Sequence, residues 1–181
     1  MNKIQTLLTM TVLLFGISGS GIADFNDGSV ALKKGDYKTA FNEWEPLAEQ
    51  GDALAQLNLG IAYYFGKGVL VDKQKAVEWW EKAAEQGDSD AQNQLGVSYE
   101  MGDGVLMNYN KSAYWYKKSA EQGNPLAQYS IGSFYIDGLG VRRDLSKAKY
   151  WYEKAYSNQN LSTTIRRLLG RHWESNKLWK Y

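Results

Sequence analysis

From Asp52 onward the chain alternates between two kinds of amphipathic segment, and the alternation repeats. Ala55, Leu59 and Tyr63 stand at i, i+4 and i+8, which places them on one face of a helix with a period of 3.6 residues. A glycine-rich break follows at Gly66-Lys67-Gly68-Val69. Next comes a segment in which Ala76, Trp79, Trp80 and Ala83 again share helical spacing among charged residues. The apolar stripe predicts two helices joined by a turn, each burying one face.

The whole arrangement recurs with a period of 36 residues, shown by Gly51, Gly87 and Gly123, by Gly60, Gly96 and Gly132, and by Gly68, Gly104 and Gly140. Trp79, Trp115 and Trp151 keep the step, as do Tyr63, Tyr99 and Tyr135. A fixed period of this length is the signature of a stacked repeat. Asp52, Asp88 and Asn124 precede the first helices, and Asp72, Asn108 and Asp144 precede the second. These side chains accept bonds from the unpaired N–H groups of a first helical turn, and Pro125 suits the position after such a cap. Gly60 sits inside a helix, where glycine costs about 1 kcal/mol relative to alanine. Its return at Gly96 and Gly132 predicts a close approach between helix backbones. The paired turn glycines supply positive φ, and the valine after them can fold back onto the core. They do not form a phosphate loop, which requires a preceding strand and a Lys-Ser/Thr pair. Trp79, Trp115 and Trp151, one ring per unit at one phase, are expected to build the core.

The first two dozen residues differ from the rest. Lys3 is the only charge before Asp24, Leu7 to Ile17 is mostly apolar, and small residues run from Ser18 to Ala23. This pattern describes a secretory leader over residues 1–23, cut after Ala23. The apolar stretch is shorter than the ~20 residues that span a bilayer, so no stable membrane insertion is expected after cleavage. The expected location is therefore the periplasm or the exterior. Removing Lys3 from the 21 basic residues leaves their number level with the 20 acidic ones. A balanced charge argues against a general nucleic-acid binder, which needs a basic field. Residues 161–181 depart from this balance, with Arg166, Arg167, Arg171, Lys177 and Lys180 against Glu174. That segment reads as a capping helix with a basic tail.

The motifs Ala-Gln-x-x-Leu-Gly-x-x-Tyr, Gly-x-Gly-Val and Lys-Ala-x-x-Trp-x-x-Lys-Ala-Ala, as they stand from Ala55 to Gly87, resemble the Sel-1-like repeat family, relatives of tetratricopeptide repeats. The second copy carries Ser112 and Ser119 where alanines are usual, and the third has Ile131 and Tyr156 at a leucine and an alanine position. The resemblance implies an all-α, right-handed α-solenoid, with units at 52–87, 88–123 and 124–160 after a truncated half unit at 24–51. It also implies an adaptor whose concave face, lined by the first helices, binds a peptide or protein. Carried over to this chain, that face comprises Leu54, Leu57, Ile61 and Tyr64, then Asn93, Val97, Glu100 and Met101, then Tyr129, Ser133 and Ile136.

Candidate chemistry changes the picture little. His172 is the only histidine and cysteine is absent, so no His pair or thiolate set is available for a metal or a nucleophile. The penicillin-hydrolysing branch of the family needs paired cysteines that this chain lacks. No cofactor, metal or catalytic residue is expected. Two other readings remain. One is an immunity-type inhibitor of a delivered toxin. The other is a cell-wall binder or hydrolase that would use Trp80, Tyr114 and Tyr150 to stack on sugars if they are exposed.

Overall fold

In the computed structural model, residues 24–158 and 163–180 are described; the leader assigned to residues 1–23 lies outside them. The described residues form nine α-helices and a closing 3-10 turn: α1 (Phe25–Lys33), α2 (Tyr37–Glu49), α3 (Ala53–Phe65), α4 (Lys73–Glu85), α5 (Ser89–Met101), α6 (Tyr109–Glu121), α7 (Pro125–Asp137), α8 (Leu145–Ser157), α9 (Thr163–Ser175), then Leu178–Lys180. Each helix from α2 to α8 packs on the helices before and after it. This is an α-solenoid of helical hairpins, in which units touch only their neighbours.

Caps set the helix starts. Asp52, Asp88 and Asn124 accept from the backbone N–H of Ala55, Ala91 and Ala127 at 2.8, 2.7 and 3.1 Å. Asp72, Asn108 and Asp144 do the same at the second helices, each at 3.0 Å. Residues 25–33 are helical too, so the opening segment is itself a hairpin, α1 with α2, joined by Lys34-Gly35-Asp36 rather than by a Gly-x-Gly-Val turn.

The core ring of each unit is one residue later than the sequence suggests. On the second helices Trp44, Trp80, Tyr116 and Tyr152 are deeply buried at one phase, whereas Trp79 and Trp115 are only half-buried and Trp151 alone of its set is buried. Neighbouring helical positions differ by about 100°, and the later one points at the first helix of its own unit. There it meets glycine. A Cβ on Gly60, Gly96 or Gly132 would collide with the ring of Trp80, Tyr116 or Tyr152, and one on Gly28 with Trp44. The helix glycines therefore admit a ring rather than a second backbone. Trp80 also donates from Nε1 to the Leu57 carbonyl at 3.2 Å. Trp79 lies on the rim instead, with the Lys82 ammonium 3.7 Å from its ring centroid.

Two devices bind unit to unit. Gly66, Gly102 and Gly138 end the first helices at φ 68, 73 and 72°, the left-handed region that favours glycine. The second turn glycine is placed by contact: a Cβ on Gly68 would strike the Tyr37 carbonyl, on Gly104 that of Lys73, and on Gly140 that of Tyr109. Each turn thus seats on the start of the preceding unit's second helix, while Val69, Val105 and Val141 pack against the core. A glutamine pair adds polar registration. Gln56 donates to the Ala48 carbonyl at 3.0 Å and accepts from Gln86 at 2.8 Å; Gln92 repeats this with Ala84 and Gln122 at 3.1 and 2.8 Å. The serines of the second copy are satisfied as well, Ser112 donating to the Gly96 carbonyl at 2.7 Å and Ser119 to that of Ser89 at 2.6 Å.

Candidate interaction surface

The first helices α3, α5 and α7 carry all eleven candidate residues, and the structure sorts those residues into three groups. Leu54 and Met101 are open to solvent, at 51% and 66% exposure. Leu57 and Ile136 are buried: Leu57 packs with Trp80 and Leu95 between the first two units, and Ile136 lies in the core of the third. They offer no surface, because their positions on the helix point toward packed neighbours rather than away from them. Ile61, Tyr64, Asn93, Val97, Glu100, Tyr129 and Ser133 are half-buried.

Several of this middle group hold the polar tips of the core rings. Tyr116 donates to a Glu100 carboxylate oxygen at 2.6 Å. Burial first, and that carboxylate second, push the Tyr116 hydroxyl far above the ordinary tyrosine range. The Tyr152 hydroxyl lies 2.7 Å from Ser133 Oγ and 3.1 Å from His172 Nδ1. Tyr129 stacks on Tyr152 with centroids 5.6 Å apart and planes 8° from parallel. His172 is half-buried between these two tyrosines, with Nε2 3.4 Å from the Tyr129 hydroxyl. The α9 segment thereby covers the end of the third unit. Leu169 and Leu178 complete the core there, Trp173 packs against it, and Trp179 stays exposed.

Tyr64 belongs to a trio across the first unit boundary. Its hydroxyl donates to Asp103 Oδ2 at 2.6 Å, and Lys73 Nζ bonds Asp103 Oδ1 at 2.8 Å. The bond from Lys73, then that from Tyr64, hold the Asp103 carboxyl below its usual range, while the bond to Asp103 raises the Tyr64 hydroxyl. The ionic form of Asp103 is thus favoured by its partners.

Open apolar positions that the sequence reading did not select include Leu126, which is the counterpart of Leu54 one unit pair later. Its signal was present, since Leu54 and Leu126 are 72 residues apart. Tyr114 and Tyr150 are about half exposed on the second helices, whereas Trp80 is inside the core. A cavity of about 400 Å³ opens between α8 and α9, walled by Tyr156, Leu169 and Trp173 with Glu153 and Glu174. Among the described residues no cluster of His, Cys, Asp and Glu is placed to hold a metal ion, and no helix is long and apolar enough to cross a membrane.

Comparisons with known proteins agree with this architecture. The model of the Sel1 repeat matches residues 53–88, 89–124 and 125–160. The chain is similar to a Sel1 repeat protein from Oxalobacter formigenes, with 29% identity and a TM-score of 0.75 over 84% of this chain and 62% of that one. It is also similar to c5321, a protective antigen of uropathogenic Escherichia coli strains with an SLR fold, at 35% identity and a TM-score of 0.74. That alignment covers 84% of this chain and 33% of c5321, so the chain spans less than two thirds of either protein. No curated protein matches it.

Proposed function

Because the chain belongs to the Sel1 repeat family, whose repeats are generally protein–protein interaction modules, we propose that it is a non-catalytic adaptor of the periplasm or the exterior, holding a protein or peptide segment against its first-helix face. One observation carries this reading. The frame positions of α3, α5 and α7 repeat, while the outward ones change: Leu54, Asp90 and Leu126 at one register, Phe65, Met101 and Asp137 at another. All six are exposed, and one of them, Asp90, also accepts from Asn124 Nδ2 at 2.8 Å across the unit boundary. Specificity rests on such a small set of variable side chains. An immunity-type inhibitor of a delivered toxin is a narrower form of the same reading.

The test uses the chain from Asp24 as bait for periplasmic and secreted extracts, beside a bait carrying Leu54→Glu and Leu126→Glu. A protein retained by the first and lost from the second supports the adaptor. The same protein retained by both removes the first-helix face from consideration. A second reading, binding to cell-wall glycan, is favoured by the exposure of Tyr114 and Tyr150. It expects cell-wall fragments to be retained by the unaltered bait and released by Tyr114→Ala with Tyr150→Ala.

A further inference from the structure

The turns between first and second helices form a continuous edge of the array. Gly68 seats on the start of α2, Gly104 on the start of α4 and Gly140 on the start of α6, and Asp103 ties its turn back to Tyr64 and Lys73. Consecutive turns are therefore neighbours in space as well as in register.

This edge is apolar in its middle. Phe65, Leu70 and Val71 project from the turn of the first matched unit, and Met101, Leu106 and Met107 from that of the second, all exposed by 59% or more. Leu70 and Leu106 reach 87% and 91%, as open as side chains in an extended peptide. Phe65 touches the Tyr64 ring edge to face, with centroids 4.9 Å apart, but most of each of these six side chains is open, and clustered exposed apolar side chains mark a contact surface. They stand on protruding turns rather than around a pocket; the hollow beside them, formed by Lys38, Gly66, Gly68, Val69 and Leu70, is shallow and open.

Both ends of the edge are basic. The opening turn supplies Lys33, Lys34 and Lys38, and the third matched unit replaces the apolar pair with Arg142 and Arg143. Lys67 and Lys73 lie between. The acidic side chains of the edge are mostly engaged: Asp36, Asp72 and Asp144 cap helices, and Asp103 is bound by Lys73 and Tyr64, with Asp36 and Asp137 the exposed ones among them. A second copy of the chain fits this pattern poorly. Two-fold pairing about the apolar middle would set the lysines of one end against the arginines of the other, like charge against like.

We propose that this edge docks on an anionic lipid surface, with Leu70, Val71, Leu106 and Met107 entering the headgroup boundary and the two basic ends lying on acidic headgroups. Such a surface offers an apolar layer and negative charge together. Docking of this kind is peripheral and needs no membrane-spanning helix. It is independent of the first-helix face, so either reading can fail without the other.

The experiment sediments the chain from Asp24, which contains every helix described, with vesicles of phosphatidylcholine carrying about a quarter phosphatidylglycerol. Co-sedimentation is expected, weakening as salt is raised and falling on pure phosphatidylcholine. Leu70→Glu with Leu106→Glu is expected to lower partitioning at least about tenfold, since burying one leucine is worth that factor or more, with the helical circular dichroism unchanged. Leu106→Trp adds a readout that does not depend on a loss: its emission shifts to shorter wavelength on vesicles. No co-sedimentation, equal binding by the double variant, or an unshifted tryptophan overturns the proposal. So does concentration-dependent self-association that the double variant abolishes while vesicles remain unbound, because the edge is then a protein interface.

Discussion

The side chain of Gln86 donates to that of Gln56 across 2.8 Å, while Gln56 itself donates to the Ala48 carbonyl, so a single amide bridges three segments of the array. Gln92 and Gln122 repeat the relationship, and Gln128 breaks it. Gln128 still donates to the Ala120 carbonyl at 3.1 Å, but its buried Oε1 meets no partner among the described residues. The reason lies 36 residues after Gln122, where Asn158 stands in extended backbone and donates to the Gly123 carbonyl instead. An unpaired buried acceptor costs about 1–3 kcal/mol. Gln92→Ala is therefore expected to destabilise the fold by about 1 kcal/mol more than Gln128→Ala, measured by urea denaturation of the two variants side by side.

The two kinds of helix glycine respond to alanine with opposite signs. Gly96→Ala drives a methyl group into the Tyr116 ring, an overpacking expected to cost about 1–3 kcal/mol. Gly170, in α9, has no atom within 4 Å of its would-be Cβ. There the same change is expected to stabilise by about 0.5–1 kcal/mol through helix propensity. Thermal unfolding of both variants checks the contrast; a stabilised Gly96→Ala would contradict the ring-on-glycine account.

Two leucines of α3, Leu54 and Leu57, separate folding from recognition. Leu57→Glu places a carboxylate beside Trp80 and Leu95 and is expected to cost at least about 3 kcal/mol. Leu54→Glu, at an exposed position, is expected to stay within about 0.5 kcal/mol of the parent. Equal denaturation midpoints for the two would show that the inter-unit packing at Leu57 is misassigned.

Acid and alkali act on different groups. Asp103, with its carboxyl held low by Lys73 and then Tyr64, contributes stability that is fully present above the unfolded-chain aspartate value and is lost as pH falls through the lower folded one. Tyr64, Tyr129 and Tyr152 are raised, the first mainly by its bond to Asp103 and the others by burial. Their contribution is complete below the unfolded tyrosine value near 10 and disappears as pH climbs past it. Stability is thus expected to fall on both sides of a broad plateau. Asp103→Asn should flatten the acid limb and also remove the part of the alkaline limb that Tyr64 supplies, since the bond to Asp103 is what chiefly raises that hydroxyl. The part due to Tyr129 and Tyr152 stays, a difference read from denaturant midpoints at stepped pH.

The repeat was legible because the caps, turn glycines and Ala-Gln pairs lie at fixed phase, and each answers a local geometric need. The exact core ring was not, because Trp79 and Trp80 both satisfy helical spacing and only the position of Gly60 in space chooses between them. The opening hairpin was half hidden. Its turn is shorter and lacks the Gly-x-Gly-Val signal, and Gly28 stands 32 rather than 36 residues before Gly60. Within the surface candidates, Leu54 and Leu57 are equally apolar in sequence. Their different fates depend on which side of α3 faces α5, a relation set by the stacking of whole units. His172 escaped notice as a packing residue because its tyrosine partners are 20 and 43 residues away.

The seating of each turn glycine on a carbonyl of the preceding unit has a consequence for how such a chain can change length. Every junction uses the same backbone atoms, so a unit spliced in at the boundary between Gly87 and Asp88 would find its sockets already formed on both sides. Lengthening by duplication then preserves the frame automatically, and the newcomer is free to diverge only at its outward side chains and its turn tips.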